Sequence, residues 1–262
     1  MSDDHLIRPK PESSFFIGWS PQVPPVDRRA MLSAAIGLTA LGAGAGWLLA
    51  SRQDAPGSGT WDQADVRDFT GLFLTEPYPM LRTRDIDGSP RTALLACMTK
   101  CGVADRLPAF SNRPARVRGS VISRGRHAMI TVSDGEDWIA EAEATDDSVL
   151  APPSEQTLGE ATLTGEILDS KCWFGAMRPA DSKVHKACAS LCIRSGIPPA
   201  FFARDDQGGE HALILTNPDG SGITPDGRFL SLVADPAQAR GQLVARADQL
   251  QLRVDASSIV RL

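Results

Sequence analysis

The sequence predicts a mainly β protein in which an apolar N-terminal helix precedes two duplicated small β-barrels. Three observations predict this architecture. Residues 30–50 carry no charge, the rest of the chain repeats itself, and both copies contain short runs of alternating apolar residues. Hydrophobic residues make up 42% of the chain and charged residues 23%, which is ordinary for a globular protein.

The N-terminal region predicts a membrane attachment. Residues 1–29 are rich in proline and lack a periodic apolar pattern, so we expect a disordered cytoplasmic tail. Residues 30–50 are long enough, at helical rise, to cross a bilayer core of about 30 Å. Because the positive flank Arg28-Arg29 should stay cytoplasmic, we predict a transmembrane or signal helix in the bacterial inner membrane, single-pass, with the body in the periplasm.

The same flank resembles a twin-arginine signal. Asp27-Arg-Arg-Ala-Met-Leu32 follows a long polar segment and precedes a Gly- and Ala-rich apolar stretch. This resemblance implies export of an already folded protein, and leaves open whether the helix is cleaved. Residues 51–65 are polar and contain Pro, Gly and Ser, so they predict a flexible linker.

The remainder of the chain contains an internal repeat. Three pairs of segments match in the same order: 69–74 with 163–168, 93–96 with 212–215, and 113–124 with 235–246. Three ordered matches indicate a duplication. We therefore predict one β-domain over residues 66–150 and a second over residues 158–262.

Each copy ends in two short strands joined by a hairpin. Apolar alternation appears in residues 117–122 and 128–132, and again in 239–244 and 250–254. Small β-domains close into barrels because closure removes exposed strand edges. A Val-x-Gly-x-Val strand followed by a hairpin is similar to the last two strands of OB-fold barrels, so we expect two OB-like barrels. A single larger β-sandwich is the alternative.

The second copy carries an insertion, residues 169–199. The spacing between matched positions is 94 at Gly71/Gly165 but 119 at Ala93/Ala212, so about 25 residues are added between them. Asp181-Ser182 suits a helix start, and Gly196 with Pro198-Pro199 suits a helix end, which predicts a helix over residues 183–194. We expect a stripe of Val184, Ala187 and Leu191 to pack on the barrel.

The insertion predicts a metal or redox-cofactor site. On the predicted helix, His185, Cys188 and Cys192 share one face, and Cys172 just after a strand completes a four-ligand set. Three cysteines and one histidine suit a closed zinc site, and copper or an iron–sulfur centre accepts the same donors. Asp169 is close enough in sequence to orient one of these ligands by a hydrogen bond.

Disulfide formation is the competing interpretation of the cysteines. In an oxidising compartment, Cys172 would pair with Cys188 or Cys192 and attach the helix to the barrel. Cys97 and Cys101 are placed to pair with each other, and five cysteines leave one thiol over. A reactive thiol pair on the helix is a third interpretation.

One motif carries a family resemblance. The string Gly165-x-x-x-Asp-x-Lys-Cys172, followed by His185-x-x-Cys-Ala-x-x-Cys-Ile-x-x-Gly-Ile-Pro-Pro199, resembles a signature of exported or membrane-anchored bacterial proteins. It covers about 35 residues. The resemblance implies a shared site and brings no assigned activity.

These patterns favour a non-enzymatic binding or accessory protein over an enzyme. The chain lacks a phosphate loop or dinucleotide fingerprint, and its net charge of -5 argues against nucleic acid as a partner. We expect a membrane-tethered periplasmic protein, bound to the membrane by residues 30–50, that serves a periplasmic or inner-membrane complex in electron transfer or cofactor assembly. The alternatives are a disulfide-stapled structural subunit of such a complex, without metal, and a thiol oxidoreductase.

Overall fold

The computed structural model describes residues 25–51, 59–85, 88–143, 151–204 and 209–262. The chain divides into two compact units, Met1–Ala55 and Pro56–Leu262. The first contains one described helix, and the second contains all the strands. Most of the predicted tail and much of the predicted linker lie outside the described residues.

Helix α1, Pro25–Ser51, is the described element of the first unit. It begins before residue 30, so the predicted disorder does not extend to residues 25–29; proline suits a first helical turn, and Asp27 in that turn favours the helix dipole. No helix in the described parts of the chain is both long and apolar enough to cross a membrane. The predicted crossing by residues 30–50 therefore stays a prediction.

Five strands close the first barrel. Their order is β5-β2-β3-β4-β6, and β6 returns to β5; the β4–β6 pair is parallel and the others are antiparallel. Two short strands, β1 and β7, pair with β5. The strands are β1 Thr60–Trp61, β2 Arg67–Leu74, β3 Met80–Arg84, β4 Pro90–Cys97, β5 Arg113–Arg124, β6 His127–Val132 and β7 Ile139–Glu141.

The second barrel has the same plan. Its order is β11-β8-β9-β10-β12, with β12 returning to β11 and the β10–β12 pair parallel. A short helix, Gly227–Leu232, precedes β11 and is capped by the Asp226 side chain. The strands are β8 Glu155–Asp169, β9 Pro199–Arg204, β10 Glu210–Thr216, β11 Ala237–Arg246, β12 Gln249–Arg253 and β13 Val260–Arg261. The prediction of two barrels is confirmed, and the single sandwich is wrong.

Two matched glycines occupy equivalent places in the barrels. Gly71 lies in β2 and Gly165 in β8, the first strand of each barrel. A Cβ atom would stand 2.1 Å from the Arg82 carbonyl oxygen at Gly71 and 1.9 Å from that of Phe202 at Gly165. Neither distance leaves room for a side chain. The close approach of the first strand to the second strand therefore requires glycine in both barrels.

The two barrels share a hydrophobic core, which we call the shared core. It combines residues of β2, β3, β4, β5 and β6 with residues of β8, β9, β10 and the insertion. Each barrel also has its own core. Tyr78 in the β2–β3 loop joins the barrels further, because its hydroxyl donates to the Leu215 carbonyl at 2.7 Å and accepts from the Ile223 amide at 2.9 Å. The barrels therefore pack as one unit.

Trp173 and Phe174 of the insertion fill the space against the first barrel. The Arg124 guanidinium lies 3.8 Å from the centre of the Trp173 ring. The His127 ring stacks on Phe174 with ring centres 4.9 Å apart. Both aromatic side chains are buried, so they form part of the shared core.

His127 makes folding sensitive to acid. Burial, reinforced by nearby arginines, lowers its pKa from 6.5 to about 4. Between these values the unfolded chain binds the proton and the folded chain does not, so this histidine's contribution to stability is intact above pH 6.5. We expect a loss of roughly 3 kcal/mol as pH falls towards 4.

The measurement is urea unfolding from pH 7 to pH 4. His127→Gln should flatten the curve, because glutamine carries no group that titrates between these pH values. Parallel curves for wild type and His127→Gln would contradict this prediction.

Candidate metal centre

The candidate site lies in the connection between β8 and β9. A single π-helical turn, Cys172–Ala176, leads into helix α2, Ser182–Arg194. The helix forms where predicted, but Asp181 provides no side-chain cap. Instead Glu166 of β8 accepts a hydrogen bond from the Ser182 amide at 2.8 Å, and burial raises the pKa of this carboxyl.

The C-terminal end of α2 is closed by backbone hydrogen bonds. Gly196 has a φ of 92°, a left-handed conformation that suits glycine after a helix. The Ile197 amide then donates to the Cys192 carbonyl at 3.0 Å, which satisfies a carbonyl of the last turn. This capping fixes the last turn of the helix, where Cys192 lies.

The helix faces opposite to the predicted orientation. Val184 is 77% exposed and Leu191 47% exposed, so the predicted core stripe points to solvent. The buried positions are His185, Ala189, Cys192 and Ile193. Cysteine behaves as a small apolar residue, and the carboxylate of Asp169 satisfies the imidazole, so this face can be buried.

The structure brings all four predicted ligands into two overlapping groups. Cys172, His185 and Cys188 offer ligand atoms that all lie within 4.8 Å of one another. Cys172 and Cys192 form a second such group with Asp169. Cys172 belongs to both groups. The Cys/His cluster predicted from the sequence therefore exists in the fold, and its residues could hold a metal ion.

Asp169 orients the cluster from the end of β8. Its Oδ2 lies 3.0 Å from His185 Nε2, and its Oδ1 accepts a hydrogen bond from the Cys172 amide at 2.8 Å. Both side chains of the carboxylate–imidazole pair are buried. Because the carboxylate uses Nε2, Nδ1 is the ring nitrogen left for a metal, as in carboxylate–histidine–metal arrangements.

The three free thiols differ in proton affinity. Cys172 donates a hydrogen bond to the Cys192 sulfur, which raises the pKa of Cys172 and lowers that of Cys192. Burial raises the pKa of Cys188, and a hydrogen bond from Lys100 opposes this rise. The same contact raises the pKa of Lys100. Of the three thiols, Cys192 is therefore the one whose pKa is lowered, and Cys188 is the one that Lys100 contacts.

A loop of the first barrel covers the cluster. Cys97 and Cys101 form a disulfide, as predicted, and enclose what we call the disulfide loop, residues 97–101. Lys171 donates to the carbonyls of Cys97, Met98 and Thr99 at 2.6, 3.0 and 2.6 Å. All three ammonium protons are thus used, although burial lowers the pKa of Lys171 to about 8.

The disulfide loop also holds the end of helix α2. The Gly102 amide donates to the Ser195 carbonyl at 2.7 Å. This contact joins the segment after the loop to the end of the helix that carries Cys188 and Cys192. No signal in the sequence pointed to Lys100 and Lys171, since each acts through a contact between segments far apart in the chain.

The fold and site define a protein of two closed five-stranded barrels with a cluster of thiol, imidazole and carboxylate groups beside their shared core. No family model matches the chain, and neither a curated protein nor a solved structure matches it.

Proposed function

We propose that this chain is an exported, membrane-tethered accessory protein whose OB-like barrels carry a metal ion on Cys172, His185, Cys188 and Cys192. The single parallel pair in each five-stranded barrel, β4–β6 and β10–β12, supports the OB-like interpretation. The observation that carries the metal proposal is the juxtaposition of three free thiols with a buried imidazole whose Nε2 is bonded to a carboxylate.

The cluster suits a metal better than a disulfide. A disulfide between any two of Cys172, Cys188 and Cys192 would leave the third thiol unpaired. It would also make no use of the imidazole that Asp169 orients. Cys97 and Cys101, by contrast, are paired in the disulfide loop and belong to neither ligand group. Zinc, copper or an iron–sulfur centre accepts sulfur and nitrogen donors of this kind.

Local charge also supports a metal. Ligand thiols bind as thiolates, so a bound site would collect negative charge. Lys100 contacts Cys188, and Lys171 lies directly before Cys172. These two cations would offset thiolate charge that a single ion leaves uncompensated.

The thiol oxidoreductase alternative is less well supported. Catalytic thiols of that class combine exposure with a lowered pKa. Here the pKa is lowered at Cys192, which is buried, and raised at Cys188, which is the more exposed thiol. Exposure and a lowered pKa are therefore found on different cysteines.

The proposed location is the inner membrane, with the body in the periplasm and a role in electron transfer or cofactor assembly. Its support is the uncharged stretch 30–50 behind Arg28-Arg29 and the disulfide, which persists in oxidising compartments. Cell fractionation tests it. Recovery of the full chain in the soluble cytoplasmic fraction would contradict it.

Metal analysis of the full chain tests the site. We expect about one ion per chain for the wild type, and a loss of about tenfold or more in affinity for Cys188→Ser. Cys188 is partly exposed, so this change should leave the fold intact. Ala187→Ser is the matched control, because it adds the same hydroxyl one position away and keeps every thiol.

The same samples decide between metal and disulfide. Thiol blocking followed by mass spectrometry should find Cys172, Cys188 and Cys192 reactive once the metal is removed. Quantitative pairing of Cys172 with a helix cysteine, or equal metal content in wild type and Cys188→Ser, would reject the metal site and favour the structural subunit.

A further inference from the structure

We propose that Met177 is a further ligand of this cluster and that the metal is Cu(I), which reaches the site past Met177 and Cys188. This inference rests on the proposed function, because it assumes that the cluster binds metal. It adds a residue that the sequence pattern does not single out, and it selects one metal among those that thiolates accept.

The geometry places a thioether on the outer side of the cluster. Met177 Sδ lies 4.0 Å from Cys188 Sγ. Cys188 is the partly exposed thiol of the cluster, and Met177 is 41% exposed. These two residues are therefore the more exposed part of the cluster, whereas Cys172 and His185 are buried.

The backbone holds Met177 in this position. Gly175 has a φ of 149°, which turns the chain after Phe174 in a way that other residues adopt at a cost. The Met177 amide then faces the Cys172 carbonyl at 3.5 Å. The turn that carries Cys172 thus returns the thioether to the same cluster.

The chemistry of the donors selects the metal. Thiolate and thioether sulfur are soft ligands that favour Cu(I), whereas zinc takes thiolate, imidazole and carboxylate. Cys172, His185 and Cys188 offer two sulfurs and a nitrogen close together, and a thioether next to them would add a neutral sulfur to the proposed ligand set. Cu(I) would bind and leave without a change of oxidation state, and each coordinating thiol would lose its proton to solvent.

The arrangement also suits exchange with a partner. A neutral thioether binds more weakly than a thiolate, so the Met177–copper bond would break first. A second thiol-bearing protein could then take the ion from the exposed side while Cys172 and His185 still hold it. This would make the protein a carrier of copper ions.

Competition titration of the full chain tests the proposal. Cu(I) would be titrated without oxygen against bicinchoninate, and Zn(II) against 4-(2-pyridylazo)resorcinol. Met177→Leu should weaken Cu(I) binding by about tenfold or more and leave Zn(II) binding unchanged. Met31→Leu removes an exposed thioether of helix α1 and is the matched control.

Three results would overturn the inference. Equal Cu(I) affinity in Met177→Leu and wild type would show that the thioether is not a ligand. Equal weakening of Cu(I) and Zn(II) would indicate a structural effect of the substitution. Absence of binding of either metal to the wild type would reject the metal site as well, and so separates that failure from the other two.

Discussion

Lys171→Met should lower the free energy of unfolding by about 3 kcal/mol or more, because a hydrogen bond from a charged group contributes about 1.5–3 kcal/mol and this substitution removes three of them. Lys171 is 3% exposed, and its ammonium group donates to three carbonyls of the disulfide loop. Methionine fills a similar volume but leaves those carbonyls without donors. The loop would then lose its attachment to the insertion.

Chemical denaturation of the full chain, followed by tryptophan fluorescence, measures this effect. Lys186→Met is the matched control, because Lys186 pairs with Asp235 at 2.8 Å and is 35% exposed. Such an ion pair near the surface contributes about 0–1 kcal/mol. If the two variants lost equal stability, the described role of Lys171 would be wrong.

Trp173→Ala should also destabilise the protein by about 3–5 kcal/mol, the range for truncating a large buried aromatic side chain. Trp173 is 4% exposed and contacts Arg124, His127 and Phe202. Its removal opens a cavity between the barrels. We further expect metal binding to weaken, since Cys172 precedes it in the same turn.

Thermal unfolding and denaturant titration check the stability change. Leu191→Ala, an apolar truncation on the exposed face of α2, should cost far less. Trp173→Phe should recover much of the loss, because it refills part of the cavity. A stable Trp173→Ala variant would show that the barrels do not depend on this contact.

The barrels could be predicted from sequence because their information is local and repeated. Alternating apolar residues define the strands, and Gly71 and Gly165 mark the same crossing in both copies. The Cys97–Cys101 disulfide followed from a short separation in the chain. The clustering of Cys172 with His185 and Cys188 followed from helix periodicity and one adjacent strand end.

The buried face of α2 could not be read from periodicity alone. Val184, Ala187 and Leu191 have the same helical spacing as the cysteine stripe, so the pattern fits either orientation. The stripe that packs against the barrel is the one that contains His185, because its imidazole forms a hydrogen bond with the buried carboxylate of Asp169. Only the folded structure reveals that partner's position.

The cover over the site depends on long-range packing. Lys171 donates a hydrogen bond to the Cys97 carbonyl of the disulfide loop, although the two residues are 74 positions apart in the sequence. The Gly102–Ser195 hydrogen bond and the Lys100–Cys188 contact likewise join the two barrels. No local pattern encodes such pairings, because they follow from how the shared core assembles.

The most direct test of the proposed centre is X-ray absorption spectroscopy of the full chain at the edge of the metal it carries. The proposal predicts mainly sulfur scatterers, at about 2.3 Å if the ion is zinc, together with an imidazole signature. Cys188→Ser should reduce the sulfur contribution. A spectrum with only oxygen and nitrogen neighbours, unchanged in Cys188→Ser, would place the metal elsewhere and contradict the assignment of Cys172, His185, Cys188 and Cys192.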